Sequence, residues 1–217
     1  MFFNKKLTAS ERIEKAGTLA TKGKHKKALA EYQLAIKENP QASQSHEIHG
    51  RMAPLFAKTK QFDEAWRSYK NAASGYKLKG FANKAISTYK QAAKLMPKKI
   101  DVWLALAGEL QEKGDTDEAV KTLYEAHRHF RKSSELDTAI KLLLQAFHLD
   151  EWNFTVTMEL ARLLKRARKK NDAHKYLLGL VERTRGSELR KVRGRLLRLS
   201  PSPANFLNWT KALILGK

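Results

Sequence analysis

The chain repeats itself at an offset of 54 residues, and this self-similarity limits its fold more than any other feature. Phe62-Asp63-Glu64-Ala65 falls on Thr116-Asp117-Glu118-Ala119, and again on Lys170-Asn171-Asp172-Ala173. Ala53, Ala107 and Ala161 keep the same interval, as do Ile48, Val102 and Val156, and Phe56, Leu110 and Leu164. Tyr69 pairs with Leu123, Ala72 with Ala126, Ala85-Ile86 with Ala139-Ile140, and Ala92 with Ala146. Small residues land on small ones and bulky apolar residues on bulky ones, as expected of one structural unit used repeatedly. Within a unit the apolar period is helical: Ala65, Tyr69, Ala72, Ala73 and Tyr76 recur at three- and four-residue steps, as do Ala85, Tyr89 and Ala92. Alanine lets a second helix approach closely, and the Tyr or Leu one turn on fills the groove beside it. Short polar breaks divide the stripes: Lys22-Gly23-Lys24, Lys60-Gln61, Lys79-Gly80, Lys113-Gly114-Asp115 and Asn171-Asp172. Glycine suits the left-handed position that closes a helix. The pattern predicts about twelve helices and no strands.

The segment Lys24-His25-Lys26-Lys27-Ala28-Leu29-Ala30-Glu31-Tyr32-Gln33-Leu34-Ala35, followed by Pro40, resembles the second helix of a tetratricopeptide repeat. Ala28, Tyr32, Ala35 and Pro40 match that family's small, aromatic, small and helix-stop positions. The fullest copy starts near Ile100, with Trp103, Leu106, Ala107 and Leu110 on the first helix and Ala119, Leu123 and Ala126 on the second. Similar copies begin near His46 and Phe154, and the likeness covers roughly residues 9–184. It implies an all-α fold, an α-solenoid of stacked antiparallel helices forming a tetratricopeptide-like superhelix. A non-enzymatic protein–protein interaction scaffold or adaptor is the function it implies. Repeats of this family run about 34 residues and two helices, whereas 54 residues hold three. Strict alternation of layers would therefore swap equivalent helices between layers in successive units.

The organisation predicted is a helical repeat array over 1–184, with 54-residue units at about 46–99, 100–153 and 154–184, then a basic amphipathic helix and a C-terminal capping or docking helix over 185–217. Members of the family that clamp a C-terminal carboxylate resemble one another in placing Lys and Asn on the first helix. Here the equivalent positions read Ile13 and Gly17, Gly50 and Pro54, Leu104 and Gly108, Met158 and Arg162, which disfavours that mode. Pro54 sits inside a helical stripe and predicts a bend or an early break.

Chemistry-bearing motifs are weak. His46-Glu47-Ile48-His49 spaces its histidines three apart where a zinc-protease helix needs four, and His127 and His129 diverge on a helix. Gly17 and Gly23-Lys24 miss phosphate-loop spacing, and His25 replaces the magnesium-binding hydroxyl. Zero cysteines exclude a disulfide framework, a thiolate metal site and a cysteine nucleophile. The expectation is no enzyme activity, no cofactor, no metal and no small-molecule substrate. With a mean hydropathy of −0.58 and no apolar run of about 18 residues, no spanning helix is expected. Met1-Phe2-Phe3-Asn4-Lys5-Lys6 lacks the apolar core of a secretory signal, so a cytoplasmic location is expected, with peripheral membrane attachment as the alternative.

Charge supplies the partner chemistry. Forty-three Lys and Arg against 22 Asp and Glu leave +21, an excess that favours an acidic partner. It is concentrated: Arg162 to Arg198 carries fourteen cations against Asp172, Glu182 and Glu188. One cluster holds Arg162, Lys165, Arg166, Arg168, Lys169 and Lys170. A second, Arg190, Lys191, Arg193, Arg195 and Arg198, is interleaved with Leu189, Val192, Leu196 and Leu197 as a basic amphipathic helix. Candidate partner-binding residues are Arg162, Lys165, Arg166, Lys169, Arg190, Arg193, Arg195 and Trp209. An acidic protein or peptide is the first candidate partner, with nucleic acid or an anionic membrane surface as alternatives. Arginine recognises carboxylate and phosphate alike, so composition leaves these open. Only Tyr176 lies among these cations, so the aromatic interleaving of single-strand binders is missing. Beyond them, Ser202 is a predicted N-cap with Pro203 at the first helical position. Phe206, Leu207, Trp209, Leu213 and Ile214 then form an apolar helix that either caps the array or docks on a partner or membrane.

Overall fold

A computed structural model describes residues 7–39 and 45–215. The helix-stop position Pro40 and the leader reading of Met1 to Lys6 lie outside the described residues. Twelve α-helices and no strand occur among the described residues. They are α1 (Ala9–Thr21), α2 (His25–Glu38), α3 (His46–Lys58), α4 (Phe62–Leu78), α5 (Ala82–Leu95), α6 (Ile100–Glu112), α7 (Thr116–Ala126), α8 (Leu136–Leu149), α9 (Phe154–Arg166), α10 (Lys170–Arg183), α11 (Gly186–Leu199) and α12 (Pro203–Leu215). The expected all-α architecture is present in two compact units, Met1–Glu109 and Leu110–Lys217; α1 to α5 pack successively on one another in the first, and α7 to α12 do so in the second. No helix among the described residues is long and apolar enough to cross a membrane.

The 54-residue period is carried by the helices. α3, α6 and α9 begin at 46, 100 and 154; α4, α7 and α10 begin at 62, 116 and 170; α5 and α8 begin at 82 and 136. The backbone repeats too, since Lys60, Gly114 and Arg168 all adopt the left-handed conformation, with φ of 64°, 91° and 61°. One break lies elsewhere than predicted. Asn171 and Asp172 belong to the first turn of α10, and the chain reverses instead through Ala167 to Lys169. Arg168 takes the position that Gly114 holds one repeat earlier, so no glycine marked it. α11 starts at Gly186, four residues ahead of strict periodicity. Pro54 neither ends nor interrupts α3, which runs from His46 to Lys58.

In the first unit, α1 opens on a capping box: Thr8 Oγ1 accepts from the Glu11 amide at 3.3 Å, and Glu11 Oε2 accepts from the Thr8 amide at 2.7 Å. Arg12 joins α1 to α2 through Glu31 and Glu38, each at 3.0 Å. Ala16, Ala28, Tyr32 and Ala35 fill the space between those helices. Along α3 to α5 the recurring alanines 53, 65, 72, 85 and 92 are all fully buried. Tyr69 is buried among them, its hydroxyl meeting Gln91 Oε1 at 3.3 Å. Burial pushes that phenol well above its ordinary range. α3 and α4 approach so closely at Gly75 that a β-carbon there would lie 2.2 Å from His46 Cβ.

The second unit repeats this packing with Leu in place of Tyr. Ala119, Leu123, Ala126, Ala139, Ala146, Ala161, Ala173 and Leu177 are all buried. Its departure from the first unit is local. α4 runs seventeen residues, whereas α7 stops after eleven and the chain tightens into two 3₁₀ turns, His127–His129 and Ser133–Glu135. That tightening creates the most distinctive polar feature of the unit.

Candidate functional site

Past Ala126 the 3₁₀ turn folds His127 inward, leaving it buried between α7 and α9. Its Nδ1 donates to the Tyr124 carbonyl oxygen, and its Nε2 lies 3.2 Å from Glu159 Oε1. Arg162, one turn along α9, grips the same carboxylate with Nε to Oε2 at 2.7 Å and Nη2 to Oε1 at 2.5 Å. Two competing effects act on Glu159. Burial pushes its carboxyl up, but the hydrogen bonds from Arg162 and then His127, with their charges, outweigh it and hold the group at about 2. The guanidinium of Arg162 is raised in turn, chiefly by the Glu159 hydrogen bonds.

This triad forms one wall of a cavity of about 350 Å³. Arg128 and Arg131 from the 3₁₀ segment, and Arg162 and Arg166 from α9, line it with Tyr124, Phe130 and Leu163. Arg131 Nε donates to the Arg128 carbonyl at 2.9 Å, and the Arg128 guanidinium sits 5.7 Å from the Tyr124 ring centre. Glu159 is the one acidic residue lining the cavity, against four arginines. A planar guanidinium fork matches a carboxylate or a phosphate with two parallel hydrogen bonds, so several forks converging on a concave pocket make an anion receptor.

The residues singled out from the sequence fall into three groups. Arg162 and Arg166 share the cavity wall. Lys165 and Lys169 act as struts: Lys165 Nζ donates to the Arg198 carbonyl at the end of α11, at 3.1 Å, and Lys169 Nζ lies 3.5 Å from Asp137 Oδ1 on α8. Arg190, Arg193 and Arg195 belong to α11, whose Leu189, Val192, Leu196 and Leu199 are buried. Arg193 is half-buried, with its Nε out of reach of any hydrogen-bond acceptor. Trp209 turns toward α11, where a β-carbon on Gly194 would stand 3.3 Å from its Nε1. Arg128, Arg131, His127 and Glu159 were not anticipated. Their signal was the run His127-Arg128-His129-Phe130-Arg131-Lys132, five basic residues in six directly after the last alanine of the α7 stripe.

α12 has the N-terminus its sequence predicts, Ser202 Oγ accepting from the Asn205 amide at 3.1 Å with Pro203 leading the helix. Of its residues only Ala212 is buried, while Phe206, Leu207, Leu213 and Ile214 are 55%, 53%, 43% and 81% exposed.

No family model matches this sequence, and no curated protein matches it. Among solved structures, a tetratricopeptide repeat protein from Parabacteroides merdae aligns over 96% of this chain and 93% of its own, at 15% identity and a TM-score of 0.34. TTC0263, a tetratricopeptide protein of Thermus thermophilus, aligns over 96% and 100%, at 18% identity and a TM-score of 0.28. The pilF protein of Pseudomonas aeruginosa aligns over 96% and 93%, at 15% identity and a TM-score of 0.31. At these values the likeness carries no function across.

Proposed function

We propose that the chain is a non-enzymatic interaction scaffold that captures an acidic segment of a protein partner in the arginine-lined cavity of its second unit. The observation that carries the reading is the convergence of Arg128, Arg131, Arg162 and Arg166 on one concavity opposed by Glu159 alone. A cavity of about 350 Å³ suits one or two side chains. The natural occupant is an Asp or Glu cluster on an extended or helical segment, its carboxylates taking the forks of Arg128, Arg131 and Arg166. Lys165, Lys169, Arg190, Arg193 and Arg195 contribute long-range positive potential, which speeds encounter with an acidic partner more than it adds contacts. A cytoplasmic setting accords with a chain that uses no cysteine.

The test must separate the cavity from a general +21 charge. Arg128, Arg131 and Arg166 are reversed to Glu in one variant, and the exposed Lys24, Lys26 and Lys27 of the first unit in a control with the same change in net charge. Binding of a fluorescein-labelled peptide rich in Asp and Glu, followed by anisotropy at physiological salt, should fall at least tenfold in the first variant and stay within about twofold in the second. Equal losses would remove the cavity from the proposal. Tighter binding of duplex RNA than of the peptide, lost with the same arginines, would replace a protein partner with a polyanion.

A further inference from the structure

α12 is turned inside out relative to an ordinary surface helix. Pro203, Phe206, Leu207, Thr210, Leu213 and Ile214 recur at three- and four-residue steps and form one stripe. Every apolar member of that stripe is exposed, Ile214 at 81%. The opposite face meets the protein: Ala212 is buried, Asn205 Nδ2 donates to the Ser200 carbonyl at 2.7 Å, and Trp209 packs over Gly194. The helix thus spends Asn205, Trp209 and Ala212 on its own fold and presents Phe206, Leu207, Leu213 and Ile214 outward. A helix that capped the unit through its hydrophobic stripe would show the reverse.

The surroundings of the stripe identify its occupant. From Leu189 to the C-terminus there is no acidic residue, while Arg190, Lys191, Arg193, Arg195, Arg198 and Lys211 are all present. α11, which carries five of these cations, packs directly against α12. Two copies of a +21 chain would bring two strongly cationic surfaces together, and their repulsion opposes self-association here. A bilayer with acidic headgroups satisfies both parts of the surface at once, acyl chains receiving the Phe, Leu and Ile side chains and headgroups receiving the guanidinium and ammonium groups. At thirteen residues α12 is about 20 Å long, too short to cross a bilayer and well matched to lying in its interface.

We infer that α12 is an interfacial anchor which docks the second unit on an anionic lipid surface through Phe206, Leu207, Leu213 and Ile214, assisted by the cations of α11. This is a separate surface from the arginine cavity and stands whether or not that cavity binds an acidic segment. The experiment is flotation of the full chain with vesicles of phosphatidylcholine and phosphatidylglycerol at 3:1, and with pure phosphatidylcholine vesicles. A variant carrying Phe206→Ser, Leu207→Ser and Ile214→Ser changes only exposed side chains, and its fold is checked by circular dichroism. Wild type should float with the anionic vesicles, at least tenfold more weakly with the neutral ones, and the triple variant should lose at least tenfold on the anionic vesicles. Failure of the wild type to float would overturn the inference. So would a triple variant that floats as well as wild type, because cations alone would then explain the binding. Sedimentation showing a dimer that the triple variant dissolves, with vesicles ignored, would assign the stripe to a second copy instead.

Discussion

Arg162 holds Glu159 by two parallel hydrogen bonds, and Glu159 is at once the cavity's only acidic wall residue and the partner of His127. The carboxylate therefore stabilises the fold while opposing an incoming anion. Removing its charge should separate these two effects. In Glu159→Gln, four cavity arginines face no acid, and affinity for an Asp- and Glu-rich peptide should rise several-fold by anisotropy at physiological salt. A fall in affinity would mean that Glu159 serves the ligand by holding Arg162 in place.

The same pair gives a pH dependence with a defined sign. Glu159 is held at about 2, below its ordinary 4.5, so its ionised form is favoured in the folded state. The stability it contributes is complete above pH 4.5 and is lost as pH falls from there through about 2. Thermal melts of wild type and Glu159→Gln should differ at pH 7, wild type being the more stable. The difference should shrink steadily below pH 4.5. A gap that stays constant down to pH 3 would show that the charge of Glu159 is irrelevant to folding.

Gly75 tests the packing of the first unit. A methyl group there would overlap His46 Cβ, which cannot move without shifting the backbone of α3. Gly75→Ala should lower stability by about 1–3 kcal/mol in denaturant titration, despite alanine's better helix propensity. A stabilised variant would mean that α3 and α4 stand further apart than described.

The left-handed positions at 60, 114 and 168 predict opposite outcomes for gaining and for losing a glycine. Arg168→Gly relieves a side chain of an unfavourable backbone conformation and should stabilise the protein by about 0.5–1 kcal/mol. Gly114→Ala imposes that conformation and should destabilise it by about 1 kcal/mol or more. Melting temperatures that move in the same direction for both would contradict the shared geometry.

Much of this architecture could be read directly from the residues, because alternating alanine and bulky positions at helical spacing leave few other ways to bury the chain. Ala65, Ala119 and Ala173, one position in three repeats, are each fully buried. The turn at Arg168 was not legible, since tertiary packing imposes there a backbone shape that sequence normally announces with glycine. The cavity was half legible. Arg162 and Arg166 stood out by charge density, but Arg128 and Arg131 join them only because α7 ends six residues sooner than α4 and turns back on itself. Helical periodicity also finds the stripe of α12, yet says nothing of which way it faces. The Asn205 bond to the Ser200 carbonyl, the burial of Ala212 and the seat of Trp209 over Gly194 settle that.

Hydrogen–deuterium exchange of the full chain, with and without a saturating Asp- and Glu-rich peptide, tests capture in the cavity most directly. Protection is predicted over residues 124–131 and 159–166, with the helices of the first unit unchanged. Protection spread along the lysine-rich first unit, or confined to α11 with the cavity unaffected, would contradict it.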